Sequence, residues 1–378
     1  MRPLSSPRRD LDARFRGGRA AVSNGVMKAM ALPLLALLAP LAACGDYNPE
    51  DIVFRRAAPR PEDVALEPPG VDVATARRGG VGGALRQGLT ACDGVAADRN
   101  LRCLAQSIAG SLNGLTVGIL TVVDNVVQSP PSQRARGRRV WGPHFVENDG
   151  ATYRFEMVRD DDTTFSWCIH AAAGFKGPFS GRGLSCDAER SEDGFVRVVS
   201  GTLVPGEAED ELARSGLGSI VFELTALGEL ARQDTSGLIT ILYDNTGGES
   251  DIDIALDDMR IASFPERSEY SYHRYPDGSG GFFFQAPGEA SRGGLFEDEL
   301  LETFTITAAW QADRAGRADA VITGGNLDTF EISATQCWDA ELCQVHYTQS
   351  PDDPEHPTEG DLAACVFQER IERSRADP

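Results

Sequence analysis

The apolar positions of this chain follow two different periods, one on each side of Pro130-Pro131. Before the prolines, apolar residues recur in steps of three and four across residues 98–128, which predicts one long helix. These residues are Leu101, Leu104, Ile108, Leu112, Leu115, Ile119, Val122 and Val126. Residues 103–123 carry no charged side chain, and the proline pair ends the pattern. The sequence therefore predicts a helical segment, residues 91–131, dominated by one long apolar helix.

Three glycines leave two interpretations of this helix. Gly110, Gly114 and Gly118 lie on one side of it, the small-xxx-small spacing of self-associating membrane helices. The same glycines would let a sheet approach a core helix closely. Polar residues such as Gln106 and Asn113 are poor lipid contacts, so we favour a core helix.

After the prolines the period changes to two, which predicts β-strands. The predicted strands are 153–158, 195–204, 220–224, 238–243, 251–256, 270–275, 281–284, 303–310, 318–323 and 330–335. Turn residues separate neighbouring strands, so residues 132–378 read as an antiparallel meander ending in a short C-terminal helix over 359–373. We predict an α+β, mostly β fold: a large curved antiparallel sheet, half-barrel-like, packed on the long apolar helix.

A secretory signal precedes the body. Lys28 is followed by the short apolar run Ala29–Leu41 and by Leu41-Ala42-Ala43-Cys44. The run is too short to span a bilayer. The last four residues resemble the lipobox of bacterial lipoproteins. That resemblance implies cleavage after residue 43, diacylglycerol on Cys44 and acylation (palmitate) of its amino group. Residues 1–43 are then a signal peptide, with Met27 as an alternative start.

The residues after Cys44 bear on location. In enteric lipoproteins an aspartate directly after the cysteine retains the protein in the inner membrane. Here Asp46 comes one place later, which favours the outer membrane, on its periplasmic or surface face. Residues 44–90 are rich in proline and glycine and show no apolar period, so we predict that they form a flexible tether.

The net charge limits which partners the body can bind. Removing residues 1–43 takes away seven basic and two acidic side chains, which leaves 29 basic and 55 acidic ones, a net charge of −26. So acidic a body argues against nucleic-acid binding and against spreading on anionic lipid, since both need a basic patch.

Eight cysteines suit an oxidising compartment. With Cys44 lipidated, seven remain, enough for three disulfides and one thiol. Proximity along the chain suggests the pairs Cys92–Cys103 and Cys168–Cys186. Cys337 can pair with Cys343 or Cys365, and we prefer Cys365 because the longer loop gains more on closure. The predicted disulfide cysteines are Cys92 with Cys103, Cys168 with Cys186 and Cys337 with Cys365.

Candidate catalytic and metal-binding chemistry is weak. None of the five histidines has a paired ligand spacing, and no Gly-x-Ser-x-Gly is present. Asp251, Asp253 and Asp257 share one strand face, which permits a calcium site or a solvated acidic face, and the solvated face is the default. A nucleophilic Cys168 would have to escape oxidation. We predict no catalytic residue, no metal and no cofactor.

The most distinctive local sequence runs from Trp310 to Asp319 and continues to Cys337-Trp338-Asp339. It resembles C-terminal segments of uncharacterised lipoproteins of myxobacteria-like genomes, a likeness that implies no activity. Physically it predicts two strands, a glycine turn and a third strand held by a disulfide.

These observations favour a lipid-anchored envelope protein with a non-enzymatic body that binds an apolar ligand or an envelope partner. The strand count and location resemble half-barrel periplasmic lipoproteins and lipoprotein carriers, which hold acyl chains in a concave face. The alternatives are a secreted hydrolase using acidic residues and a purely structural or surface-interaction module.

Overall fold

The computed structural model describes residues 48–71, 100–147, 150–177, 185–206, 216–231, 235–260, 265–288, 301–327, 330–352 and 357–371. Fifteen strands form one antiparallel sheet in which every strand pairs with its neighbours in the chain, so β1 and β15 are the edges. The strands are β1 Gln133–Ala135, β2 Arg138–Val146, β3 Ala151–Arg159, β4 Phe165–Ala173, β5 Val196–Val204, β6 Leu217–Glu223, β7 Leu238–Asp244, β8 Ser250–Asp257, β9 Ser268–Arg274, β10 Gly280–Gly288, β11 Glu302–Trp310, β12 Gly316–Thr323, β13 Ile332–Trp338, β14 Gln344–Ser350 and β15 Glu359–Gly360.

Within the described residues, three α-helices accompany the sheet. They are α1 Pro49–Ala57, α2 Leu101–Val127 and α3 Leu224–Ala231. Single 3-10 turns occur at Pro61–Val64, Thr246–Gly248, Gly325–Leu327 and Leu362–Ala364.

Alternation explains the strands, as β8 illustrates. Ile252, Ile254 and Leu256 are buried against the core, whereas Asp253 and Asp257 point to solvent. This is the pattern of a sheet with one face packed and the other wet. The predicted meander is confirmed. Each predicted strand overlaps an observed one with ends that differ by a few residues, and β1, β2, β4, β14 and β15 were not among the predicted strands.

The long helix α2 lies in the concave face of the sheet. The Asn100 side chain caps it by accepting a hydrogen bond from Cys103 N at 3.0 Å. The helix contacts β2 near one edge and β11, β12 and β13 toward the other, so the sheet curves around it. By length and composition α2 could cross a membrane, but 67% of its most apolar window is buried inside the protein. The structure therefore confirms a curved sheet packed on a core helix.

The tether prediction is wrong for residues 48–71, which we call the N-terminal belt. Phe54, Val64 and Leu66 are buried in the same core as α2. The Asn113 amide of α2 bonds both Leu66 N and Leu66 O, at 2.7 and 2.6 Å. A few isolated apolar residues between prolines are thus enough to pack the belt into the core, because the Asn113 side chain forms hydrogen bonds with the belt's backbone. Residues 72–90 and Cys44 lie outside the described residues.

The predicted C-terminal helix is also wrong in extent. Residues 359–371 form the two-residue strand β15 and one 3-10 turn, Leu362–Ala364. Asp361 caps that turn by accepting a hydrogen bond from Ala363 N. The segment then continues in extended form, because it is held by side chains of the sheet rather than by its own backbone.

Candidate functional site

A cleft lies on the outer side of the sheet, at the ends of β5, β6, β7 and β8. Its volume is about 1080 Å³. Charged side chains dominate its lining, with five carboxylates and two guanidinium groups. They are Glu189, Glu223, Asp257, Asp258, Glu266, Arg197 and Arg260.

Arg197, on β5, is already neutralised. Its Nε donates to Glu223 Oε1 at 2.8 Å, and its Nη1 donates to Cys186 O at 2.8 Å. A second carboxylate, Glu189, lies 4.0 Å from its Nη2. This arginine therefore organises the floor of the cleft and contributes little free positive charge to it.

The opposite wall of the cleft is acidic and unpaired. Asp257, Asp258 and Glu266 form no ion pair with another described residue. Backbone hydrogen bonds fix this wall: Met259 N donates to Glu266 O at 2.9 Å, and Arg260 N donates to Ser236 O at 2.9 Å. The cleft thus offers three carboxylates that have no ion pair within the described part of the chain, held on a defined backbone.

A glycine keeps the cleft's end open. Gly237 has φ +132°, and a Cβ placed there would lie 2.7 Å from Met259 Sδ and 3.1 Å from Asp257 O. A side chain at this position would push on the wall that carries Asp257, so the position requires glycine.

A second, smaller groove of about 400 Å³ crosses the outer face of β7, β8 and β9. Ser271 Oγ donates to Asp253 Oδ1 at 2.6 Å, and Asp251 pairs with His273 Nδ1. The three aspartates weighed as a calcium site therefore diverge: Asp251 and Asp253 take different partners, and Asp257 lies at the large cleft. Among the residues that the structure describes, no group of three or more His, Cys, Asp or Glu side chains can hold a metal ion.

The histidines occupy separate places. His170 Nε2–H donates to Ala188 O at 2.8 Å, and burial lowers the pKa of His170. Burial also lowers the pKa of His144. His273 and His346 are buried on the outer face of the sheet, and His356 lies outside the described residues. None of the four described histidines is placed for acid–base chemistry beside a nucleophile.

Two buried polar clusters lie on the outer face, each under a segment pinned by a disulfide. The internal strap, residues 185–190, is joined to β4 by Cys168–Cys186 and covers Arg154 and Glu156. Glu156 accepts from Arg138 Nε at 2.6 Å and lies 3.3 Å from Arg154 Nη2.

The C-terminal strap, residues 361–371, is joined to β13 by Cys337–Cys365 and covers a second pair. Arg317 Nε lies 3.1 and 2.9 Å from the two carboxylate oxygens of Asp319. Its Nη1 donates to the carbonyls of Phe367 and Gln368, while Ile371 N donates to Asp319 Oδ2 at 2.8 Å. The arginine and the aspartate therefore bind the strap through its backbone.

The disulfides match the predicted pairs for these four cysteines. Cys103 is also disulfide-bonded, and its predicted partner Cys92 lies outside the described residues. Cys343, which the preferred pairing leaves over, is an exposed free thiol. Cys168 is oxidised and is not a nucleophile in this structure.

The region from Trp310 to Asp319 forms the end of β11, a turn and the start of β12. Strand β13 follows and carries Cys337, as the sequence predicts.

Comparison with known proteins adds no assignment: no family profile, no curated protein and no solved structure matches the chain.

Sequence reasoning missed the residues of the large cleft. Arg197 lies in a predicted strand and Asp257 was weighed only for calcium, but nothing local links them to Glu266. The buried pairs did leave a signal. Arg154 and Glu156, like Arg317 and Asp319, stand two apart on one strand face, so each arginine is set beside its own carboxylate.

Proposed function

We propose that this protein is an envelope lipoprotein, anchored through Cys44, whose body is a non-enzymatic module that binds a cationic segment of an envelope partner. The large outer cleft is the binding site. The observation that carries this choice is that α2 and the N-terminal belt fill the concave face, while a cleft of about 1080 Å³ opens outward and is lined mainly by acidic residues.

An apolar ligand fits less well. Acyl-chain carriers need an apolar cavity beneath the sheet. Here Leu112, Leu120 and Phe54 are fully buried in that space. A cationic partner, by contrast, would find Asp257, Asp258 and Glu266, whose carboxylates form no ion pair with another residue that the structure describes, and it would complement an acidic body.

The anchor is tested by intact mass of the protein from its native membrane fraction. A chain that begins at Cys44 and carries acyl mass supports lipidation. An unmodified chain that begins elsewhere contradicts it.

The cleft is tested by a photo-crosslinking residue at Leu238, in the cleft, and at Phe330, an exposed position on a turn away from it. In native envelopes we expect one specific protein adduct from position 238 and none from 330. The adduct should disappear in the triple variant Asp257→Asn/Asp258→Asn/Glu266→Gln.

A matched triple variant, Asp124→Asn/Glu192→Gln/Glu341→Gln, neutralises three exposed acids elsewhere and should leave the adduct unchanged. Equal loss in both triple variants would show that only net charge matters. The same adducts from positions 238 and 330 would contradict a partner bound in the cleft.

A further inference from the structure

The N-terminal belt begins only four residues after Cys44. A fully extended chain spans at most about 3.6 Å per residue, so Asn48 lies within about 14 Å of Cys44. If Cys44 carries the lipid proposed above, its glycerol lies at the level of the membrane headgroups. The corner of the body at Asn48 must then lie at the membrane surface.

That corner is a rigid part of the body. Asp51 of α1 pairs with Arg134 of β1 at 2.9 Å and with Arg139 of β2 at 2.5 Å. Phe54 is fully buried and packs edge-on against Phe165. Helix α1 therefore moves with the β1–β2 hairpin, and an anchor beside α1 also brings the hairpin to the membrane.

The exposed charges at this corner are positive. Glu50 and Asp51 turn toward Arg139, which leaves Val53, Arg55 and Arg56 on the outward side of α1. Arg136 is exposed at the tip of the hairpin. The side chains of Arg55, Arg56 and Arg136 have no ion-pair partner among the described residues. The next turn, Asp160–Asp162, is acidic and bounds this basic surface.

We infer that α1 and the β1–β2 hairpin form a membrane-facing surface that contacts anionic phospholipid headgroups. The inference rests on the proposed lipidation of Cys44. The net charge of −26 argues against a body that spreads on such lipid, but salt screens charges beyond about 8 Å. The acids on distant turns therefore matter little to cations held at the surface by the anchor.

The orientation is tested with the lipidated full chain in vesicles containing phosphatidylglycerol, after intact mass has established acylation. A fluorophore is attached to Val53→Cys or to Phe330→Cys, each in a Cys343→Ser background. Phe330 lies between β12 and β13, at the opposite end of the strands from the β1–β2 turn. Headgroup-nitroxide lipids should quench the label at 53 and leave the label at 330 bright.

Equal quenching of the two labels in acylated protein would overturn the inference while leaving the anchor intact. A chain without acyl mass would instead contradict the lipidation itself, and with it the short distance between Asn48 and the membrane.

The charge contribution is measured on the Cys44→Ser chain, which lacks the lipid, by flotation with the same vesicles. The variant Arg55→Gln/Arg56→Gln/Arg136→Gln should lower the bound fraction by about tenfold or more, since basic residues at an anionic surface contribute additively. The matched control Arg190→Gln/Arg267→Gln/Arg314→Gln removes three exposed arginines elsewhere and should cause little loss. Equal losses, or equal binding to phosphatidylcholine alone, would contradict a specific basic surface.

Discussion

The two straps on the outer face each cover a buried arginine–carboxylate pair, but they are held in place differently. Each is pinned by one disulfide and covers an arginine and a carboxylate that stand two apart on a strand. The internal strap, however, joins β4 to β5, so chain connectivity holds it at both ends. The C-terminal strap follows β15, and no described strand follows it.

The polar pairs reflect that difference. Glu156 is shared by Arg138 and Arg154, and the Arg138 side chain keeps 35% of its exposure. Arg317 and Asp319 are both almost fully buried, and each also binds backbone groups of the C-terminal strap. The segment that no described strand follows is thus held by side chains that bind its backbone, whereas the loop between two strands mainly covers the buried charges.

The largest loss of stability is expected from a substitution at Asp319. Asp319→Ala leaves Arg317 buried without its carboxylate and removes the acceptor for Ile371 N. We expect a loss of about 3–5 kcal/mol in the free energy of unfolding and early proteolysis of the C-terminal strap. Urea denaturation and limited proteolysis measure these effects.

Two further variants control that prediction. Glu331→Ala breaks the exposed pair with Arg370 and should cost at most about 1 kcal/mol. The double variant Arg317→Met/Asp319→Leu removes both charges and should be less unstable than Asp319→Ala. A double variant as unstable as the single one would show that the buried charge is not the cause.

The two disulfides should contribute similar free energies of unfolding, but each holds a different segment. Their sequence separations are 18 and 28 residues, so removal of either should cost about 3–4 kcal/mol. We expect Cys337→Ser/Cys365→Ser to raise hydrogen exchange and proteolysis throughout the C-terminal strap. Cys168→Ser/Cys186→Ser should raise exchange only near residues 185–190. Release of the C-terminus in both variants would contradict the comparison.

Glu156→Ala tests the internal cluster. Arg154 loses its carboxylate, but Arg138 can turn toward water, so we expect a loss of about 2–3 kcal/mol, smaller than for Asp319→Ala. The C-terminal strap should keep its resistance to proteolysis. A loss as large as that of Asp319→Ala would mean that attachment of the internal strap to both β4 and β5 does not reduce the loss of stability when Glu156 is removed.

The smallest expected effect is pH dependence under the internal strap. Burial lowers the pKa of His170 below its ordinary 6.5. The unfolded chain therefore binds the proton first, and stability falls as pH drops below that value. In the variant His170→Gln we expect this fall to shrink by about 1 kcal/mol between neutral and mildly acidic pH. Denaturation at several pH values measures it, and an unchanged slope in the variant would exclude His170 as the cause.

The fold was predictable where one face of a strand is wet, as in β7 and β8, because only there does the apolar period show. Strand β4 was not among the predicted alternating strands, because Cys168 and His170 are buried on its outer face and burial does not alternate along it. Strand β2 shows no apolar alternation in the sequence, because Gly142-Pro143 and its arginines interrupt the pattern. The belt was missed because its apolar residues are held by partners far away in the chain, Asn113 among them. The cleft's carboxylates meet only through the folded sheet.

The edges of the sheet have a consequence for how copies of this chain meet one another. An open sheet of fifteen strands offers two rows of unpaired backbone groups, the usual templates for end-to-end polymerisation. Here β1 has three residues, one of them Arg134, and β15 has two, one of them Gly360. Edge strands this short offer a neighbouring copy only a few backbone groups of their own. They therefore disfavour the joining of sheets from neighbouring copies into fibrils.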